Sequence, residues 1–275
     1  MINIDAKIDH LGLFSNKNPD TSKALFKLGF RACGGCDHLI PDKEGKLPAN
    51  AHFVLDNGYM ECVLEKPTGY REYEITEGGL IYFEFACKDI EEAYKNSEEK
   101  GLQSSDIVHA GRYADHGENK GEARFDCILL EKEIIENVLI GAVEHKTRGL
   151  FYKNNRYEHE NYASRIEEVV LFSESSDYSD KVKKGIEDFQ EGLGDYEKEE
   201  GIRKLTFMSS EECKERFCLD TEKGKLNKAG LILKTEDMSK CLECVKASGY
   251  PFKEVNGSIV VDLLDELNIF MVFEK

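Results

Sequence analysis

The chain has 275 residues, and its 54 Asp and Glu against 37 Lys and Arg give a formal net charge of −17. This charge argues against nucleic acids and anionic membrane surfaces as partners, because both are bound by faces rich in Lys and Arg. With 40% apolar residues, 15 Phe and 12 Tyr, the chain is not a disordered protein and can form one large or two ordinary domains.

Cysteine usage and the first residues predict the cellular location. The nine Cys are an odd number, and residues 1–10 lack the apolar region of an export signal, so we expect reduced thiols in the cytoplasm. No apolar run approaches the ~18 residues that span a bilayer, so we expect no membrane helix.

In chain order, the first half predicts two units that each begin with a strand and a helix. The first unit has a strand at 7–15, a helix at about 22–28 and extended segments near 31–39, 51–56 and 58–64, the last two joined by an Asp-Asn-Gly hairpin signal. The second has a strand at 80–87, a helix at 89–100 that ends at a Gly, and strands near 107–113, 122–130 and 137–145.

The second half follows a polar joint at 146–162. Its third unit has a strand at 165–173, a helix at about 179–192, an extended segment at 204–207 and a helical stretch at 209–217. The fourth has a strand at 229–234, a helix at 238–248 and strands at 253–255, 257–263 and 268–273. We therefore predict an α+β fold of four βαβββ modules, of which the third fits least well.

An internal repeat supports this division. The stretch at residues 8–16, Ile-Asp-His-Leu-Gly-Leu-Phe-Ser-Asn, returns without a gap as Ile-Glu-Glu-Val-Val-Leu-Phe-Ser-Glu at residues 166–174. His10 is replaced by Glu168 in the second copy. We expect two halves that share an order of strands and helices but not a chemistry. The first half spans 1–148 with modules 4–65 and 78–146, and the second spans 160–275 with modules 163–218 and 228–275.

His10 and Glu61 are the first candidates for chemistry. Strand alternation predicts that His10 shares a face with Ile8, Gly12 and Phe14, and it places Glu61 among apolar neighbours. A buried carboxylate needs a cation, a hydrogen-bond donor or a proton. The structural alternatives are a core histidine bonded to a carbonyl and a carboxylate paired with Lys or Arg across the sheet.

Glu84 and His145 extend this set on further strands. Glu84 is the acid of an otherwise apolar strand, and His145 ends the last strand of the second unit. His and Glu side chains from separate strands suit a divalent metal such as Zn, Ni, Mn or Fe, with Glu61 or Glu84 as the base that moves a proton. An edge strand that exposes Glu84 to water is the alternative.

Three further residues are candidate substrate contacts. Tyr59 and Tyr82 share strand faces with Glu61 and Glu84. Arg124 shares a face with Asp126, and an Arg that faces a pocket can clamp a carboxylate or phosphate. An exposed Arg–Asp pair is the alternative interpretation of Arg124.

Three motifs together resemble the vicinal oxygen chelate superfamily, which includes glyoxalases, extradiol dioxygenases and fosfomycin-resistance proteins. They are Ile-Asp-His-Leu-Gly-Leu at 8–13, Gly-Tyr-Met-Glu-Cys-Val at 58–63, and Glu-His-Glu-Asn-Tyr-Ala at 158–163, where Glu-His-Pro-Asn-Gly-Ala is usual in the glyoxalase-like branch. The resemblance implies that each pair of modules curls into an open cup of sheet, and that the cup holds a metal.

The resemblance also implies ligand positions in the first half. His10 matches the first-strand ligand and Glu61 the fourth-strand ligand. The corresponding positions of the second module hold Tyr82 and Gly141, so that Glu84 or His145 would have to complete the set. In the second half Glu168 and Met271 stand at the ligand positions, which implies a degenerate cup without a metal.

The sequence thus favours a glyoxalase-like, metal-dependent enzyme of lyase, isomerase or dioxygenase type that acts on a small substrate with vicinal oxygens. The alternative is a metal-free protein that binds a small molecule in the same cup, which the incomplete ligand set and the many aromatic residues support. A degenerate structural or partner-binding module is a third hypothesis, and a second copy of the chain, as in a homodimer, is one candidate partner.

Overall fold

The computed structural model of the chain describes residues 1–14, 22–32, 50–63, 78–116, 119–152, 158–194, 201–221 and 228–275. These residues form one mixed sheet of 13 strands together with seven α-helices, of which two are only four residues long. The strand predicted at 31–39 lies almost wholly outside the described residues. Among the described helices, none is both long and apolar enough to cross a membrane.

Most elements of the first half begin and end close to their predicted positions, although the first strand begins at Ile2 and not at residue 7, and the short helix at Arg148–Phe151 was not predicted. The first helix of the second unit, for example, has Asp89 as its N-cap, whose side chain accepts from the backbone N–H of Glu91 and Glu92. The elements are β1 (Ile2–Phe14), α1 (Ser22–Lys27), β2 (Asn50–Leu55), β3 (Gly58–Val63), β4 (Gly79–Ala86), α2 (Ile90–Glu99), β5 (Val108–His116), β6 (Asn119–Leu129), β7 (Leu139–His145) and α3 (Arg148–Phe151).

The second half departs from four regular strands in its third unit, where a helix follows the first two strands. This helix starts at a capping box between Ser209 and Glu212. The elements are β8 (Ala163–Phe172), α4 (Ser176–Gln190), β9 (Ile202–Met208), α5 (Ser210–Phe217), β10 (Ala229–Thr235), α6 (Met238–Ser248), β11 (Phe252–Val255), β12 (Ser258–Leu263), α7 (Leu264–Leu267) and β13 (Ile269–Glu274).

Strand pairing shows how the units are built. The first and last described strands of each unit pair in parallel, β1 with β3, β4 with β7, β8 with β9 and β10 with β13. The first strands of neighbouring units pair antiparallel, β1 with β4 and β8 with β10. The main path of the sheet runs β11-β12-β13-β10-β8-β9-β1-β4-β7-β6-β5, so the sheet is open. The α+β class with a curled, unclosed sheet is confirmed.

The hydrophobic core lies between one face of the sheet and the helices α1, α2, α4 and α6. In α4, Val182, Ile186 and Phe189 are buried at helical spacing and form the face that packs on the sheet. In β4, Phe83 and Phe85 are buried in the same cluster. With this face covered by helices, the polar side chains that alternate with the core residues lie on the opposite face of the sheet.

The connector motif between the halves has a structural role. His159 Nδ1 accepts a hydrogen bond from the backbone N–H of Arg31 at 3.0 Å, and its Nε2 lies 3.1 Å from the carbonyl oxygen of Val54. The amide of Asn161 donates to the carbonyl of Leu28 at 2.8 Å. These bonds attach the start of the second half to the first unit.

Candidate functional site

The face of the sheet opposite the core brings five predicted residues together. β1 lies between β3 and β4, and its register sets His10 beside Tyr59 on one side and Glu84 on the other. Two residues further along β1, Gly12 lies beside Glu61 and Tyr82. We call the side chains that meet here the cup site: His10, Tyr59, Glu61, Tyr82 and Glu84.

His10 faces both glutamates with one ring nitrogen. Its Nε2 lies 3.9 Å from Oε2 of Glu61 and 3.9 Å from Oε2 of Glu84, and the ring stacks on Tyr59 with a centroid separation of 4.3 Å and an interplanar angle of 9°. Burial alone would lower the pKa of His10, but the nearby carboxylates, Glu84 first among them, raise it above its ordinary value.

Glu61 is held as a carboxylate. The Tyr82 hydroxyl donates to its Oε2 at 2.5 Å, and Nε2 of His52 lies 3.4 Å from its Oε1. Although burial raises the pKa of Glu61, His52, His10 and the Tyr82 bond bring it down to about 2. Gly12 makes this arrangement possible, because a Cβ at that position would lie 2.1 Å from the Tyr82 ring, which crosses β1 to reach Glu61.

Glu84 is in a different state. Its side chain is buried, and within the described ranges no group donates a hydrogen bond to its carboxylate. Burial raises the pKa of Glu84 to about 7 against the opposing charge of His10. The register sets Glu84 beside Gly141, where a Cβ would lie 3.3 Å from the Glu84 Cγ, so the missing side chain at 141 leaves room for Glu84.

His145 is close to this site but faces another partner. Its Nε2 lies 3.0 Å from Oδ1 of Asp9, which also bonds Nδ1 of His10 at 3.0 Å. Arg148 donates to the other carboxylate oxygen of Asp9 at 3.3 Å. Of the two candidates for completing the ligand set, it is thus Glu84 that shares the Nε2 side of His10 with Glu61.

Asp9 reaches the cup face through a β-bulge, and strand alternation alone was wrong at this point. Ile8 pairs with Phe85 and His10 with the adjacent Glu84, so Asp9 is an extra residue in β1. The side chain of Ile8 lies in the core cluster and not on the face of His10 as predicted. The bulge turns Asp9 and His10 towards the same group of side chains.

The structure does not bring Arg124 to the cup site. Arg124 is exposed and forms an ion pair with Glu122, through Nε at 2.9 Å and through the terminal nitrogen at 2.6 Å. It shares its face of β6 with Ile128 of the core cluster, whereas Phe125 faces His145 with a ring separation of 6.2 Å. Among the described residues, Arg148 has its guanidinium beside the site, through its bond to Asp9.

The second half uses the same position differently. Glu168, at the position of His10, accepts two 2.9 Å bonds from Arg216 and one of 2.9 Å from Lys204. Burial raises the pKa of Glu168, and the Arg216 bonds and its other donors bring it below the ordinary value. α5 covers this face, because Cys213 and Phe217 of the helix pack into a second apolar cluster with residues of β8, β10, β12 and β13.

The cup site fits a divalent ion in its donor chemistry. Among the described residues, no group of three or more His, Cys, Asp and Glu side chains is placed so that it could hold a metal ion. A tetrahedral centre with bonds of about 2.1 Å separates its donor atoms by about 3.4 Å. The separations from His10 Nε2 to Glu61 and to Glu84 are both 3.9 Å and each exceeds that spacing by about half an ångström, so both carboxylates would have to move towards His10 to share an ion with it, although Tyr82 holds Glu61.

Comparison with solved structures identifies the fold. A hypothetical protein from Staphylococcus aureus is similar at a TM-score of 0.55 and 10% identity, over 99% of both chains. A xylose isomerase-like TIM barrel/4-hydroxyphenylpyruvate dioxygenase fusion protein is similar at 0.55 and 11%, over 99% of this chain and 49% of the fusion protein. A triple mutant of 4-hydroxymandelate synthase from Streptomyces coelicolor is similar at 0.51 and 10%, over 98% and 92%.

The likeness concerns the fold, because the identities are 10–11%. No protein-family model matches the sequence, and no curated protein matches it either. The open curled sheet, the parallel pairing of the first and last strands in each unit and these neighbours agree with the resemblance found in the sequence. The chain has the vicinal oxygen chelate type of fold.

Proposed function

We propose that the cup site is the active site of a metal-dependent enzyme that moves a proton on a small substrate with vicinal oxygens. The observation that carries this proposal is the convergence of His10 Nε2 with the carboxylates of Glu61 and Glu84, one of which lacks a hydrogen-bond donor in the described part of the chain. A buried carboxylate without a hydrogen-bond donor is costly, so a proton or a bound cation would stabilise Glu84 beyond its contact with His10 at 3.9 Å.

His10, Glu61 and Glu84 are the residues that would hold a divalent ion. When bound, the ion supplies positive charge opposite the oxygens of the substrate. The position of Glu61 is fixed by Tyr82, whose own pKa is raised well above its ordinary value by burial and by Glu61, so that its hydroxyl stays a donor. The candidate metals are Zn, Ni, Mn and Fe.

Glu84 is the proposed proton carrier. Glu61 is held by the Tyr82 hydroxyl, whereas no described group donates a hydrogen bond to Glu84, so Glu84 is the freer of the two carboxylates to take up and return a proton. In the proposed step, a C–H proton next to the substrate carbonyl passes to the Glu84 carboxylate. Glu84 then returns that proton to the former carbonyl carbon, while the hydroxyl proton on the first carbon passes to the former carbonyl oxygen, so the net reaction is the isomerisation of a hydroxycarbonyl compound.

The substrate would lie between aromatic side chains. Tyr59 lies 6.2 Å from Tyr152 between ring centroids, and the ring of Tyr152 lies 5.7 Å from that of His145. Arg148 stacks over Tyr152 at 4.2 Å. Aromatic walls with a few polar groups are typical of small-molecule sites, and we keep Tyr59 and Tyr82 as proposed substrate contacts.

A metal-free binding protein is the second candidate. It is favoured by the bonds that Glu61 and His10 already make, to Tyr82 and Asp9, which satisfy part of the polar set without a metal. In that case the aromatic rings would hold the ligand and the acidic groups would orient it.

Metal analysis distinguishes the two candidates. The metal content of untagged protein, purified without chelator and after reconstitution, is measured for the wild type, His10→Ala and Glu84→Gln. Glu122→Gln is the matched control, because Glu122 also stands on a strand but bonds Arg124 away from the cup. Near-stoichiometric metal that is lost in the two site variants and kept in the control supports the enzyme. A wild type without metal after reconstitution rejects it in favour of the binding protein.

A further inference from the structure

Asp9 is a buried acid at the cup site that the proposed function does not yet use. Its side chain is 1% exposed, and each of the three groups that bond its carboxylate belongs to a basic residue: His10, His145 and Arg148. The Tyr152 hydroxyl also donates to its backbone carbonyl at 3.4 Å. The bulge and these bonds fix the position of the carboxylate at the edge of the His10 ring.

The His10 ring needs such a fixed partner. Its stack on Tyr59 sets the plane of the imidazole. A 180° rotation about the Cβ–Cγ bond would preserve this stack but exchange Nδ1 with Cδ2 and Nε2 with Cε1. A carboxylate only accepts, so the bond to Asp9 requires a proton on Nδ1. With Nδ1 directed to Asp9, Nε2 is the nitrogen that faces Glu61 and Glu84.

We propose that Asp9 is a positioning residue, which selects the ring orientation and tautomer of His10 and thereby presents Nε2 to the ligand position. His145 and Arg148 hold Asp9 in turn, through one carboxylate oxygen each. This role rests on the proposed function, in which His10 is a metal ligand. A carboxylate that orients a ligating histidine through its other nitrogen is a general device, and its loss costs about 10–100-fold in metal affinity.

The first test measures Co²⁺ binding by calorimetry in the wild type, Asp9→Asn and Asp126→Asn. Asp126 is the matched control, because it also bonds a histidine, His109 at 2.8 Å, and a cation, Lys146 at 3.2 Å, but shares its face of β6 with Arg124. We expect Asp9→Asn to bind about 10–100-fold more weakly and Asp126→Asn to bind as the wild type does. Wild-type affinity in a folded Asp9→Asn overturns the proposal.

The second test reads the ring directly in the metal-free wild type, so it needs no variant that might fail to fold. Nitrogen-15 NMR of the histidine side chains, recorded at a pH above the pKa of His10, should show a neutral ring with a proton on Nδ1 that is protected from exchange and no proton on Nε2. A His10 whose Nδ1 carries no proton overturns the positioning role. If the wild type binds no Co²⁺, or if His10→Ala binds it equally well, the proposed function fails, and the NMR signal still decides the role of Asp9 for the metal-free protein.

Discussion

Lowering the pH should weaken the fold through His159, a buried histidine in the connector between the halves. Its side chain is 3% exposed, Nδ1 accepts from the backbone of Arg31, and Nε2 donates to the carbonyl of Val54. Only the neutral ring can make both bonds, because Nδ1 must keep a lone pair. Burial lowers the pKa of His159 from 6.5 to about 4.

The size and sign of the effect follow from this shift. In the unfolded chain His159 takes up a proton near pH 6.5, whereas in the folded protein it does so near pH 4, so the unfolded state binds more protons between these values. The contribution to stability is fully present above the unfolded pKa, falls as the pH decreases and is lost completely below the folded pKa. At about 1.4 kcal/mol per pKa unit it amounts to about 3 kcal/mol, of which about 2 kcal/mol is lost between pH 7 and pH 4.5.

The assay is urea unfolding at pH 7 and pH 4.5 for the wild type, His159→Gln and His109→Gln. His159→Gln should be less stable at pH 7, because hydrogen bonds in a buried place are removed, but it should lose about 2 kcal/mol less than the wild type on acidification. His109 is exposed, so its variant should keep the wild-type difference. Equal losses in the wild type and His159→Gln would refute the assignment of the acid sensitivity to this ring.

Two further changes test the two cups. Gly12→Ala should displace the Tyr82 ring and break its bond to Glu61. We expect weaker Co²⁺ binding in titrations, with little change in the far-UV circular dichroism. Wild-type affinity would contradict the proposal that the missing side chain at Gly12 is needed for the Tyr82–Glu61 bond and for metal binding. Arg216→Leu should leave Glu168 buried without its main partner and lower the free energy of unfolding in urea by about 3–5 kcal/mol. Adding Glu168→Leu should restore most of this stability. If Arg216→Leu alone stays within about 1 kcal/mol of the wild type, Arg216 is not the group that stabilises the Glu168 carboxylate.

Much of the fold could be predicted because its signals are local. The hairpin after β2, the N-cap Asp89 and the Gly101 end of α2 are set by a few neighbouring residues. The hairpin sequence also predicts the position of His52 beside Glu61. A two-residue turn between Leu55 and Gly58 fixes the register of β2 and β3 and sets His52 opposite Glu61, which the structure shows.

The rest of the candidate site depends on contacts that a single strand does not reveal. The bulge at Asp9 arises from the pairing of β1 with β4, so alternation along β1 predicts the wrong side for Ile8 and gives Asp9 no role. Arg148 and Tyr152 follow β7 in a stretch without strand or helix periodicity. Arg124 does not face the cup because the core lies on the side of β6 that Arg124 shares with Ile128, which no local pattern encodes.

The two halves share a strand frame and differ in how each satisfies a buried acid. In the second half the chain supplies the cation, because Arg216 and Lys204 surround Glu168, and α5 fills the space above the sheet. In the first half the four-residue α3 carries Arg148 onto the corresponding face, and within the described residues no hydrogen-bond donor reaches the Glu84 carboxylate, which lies 3.9 Å from His10. Since a buried carboxylate is costly unless it is paired, this difference supports our proposal that the first half, and not the second, takes up a cation from solution.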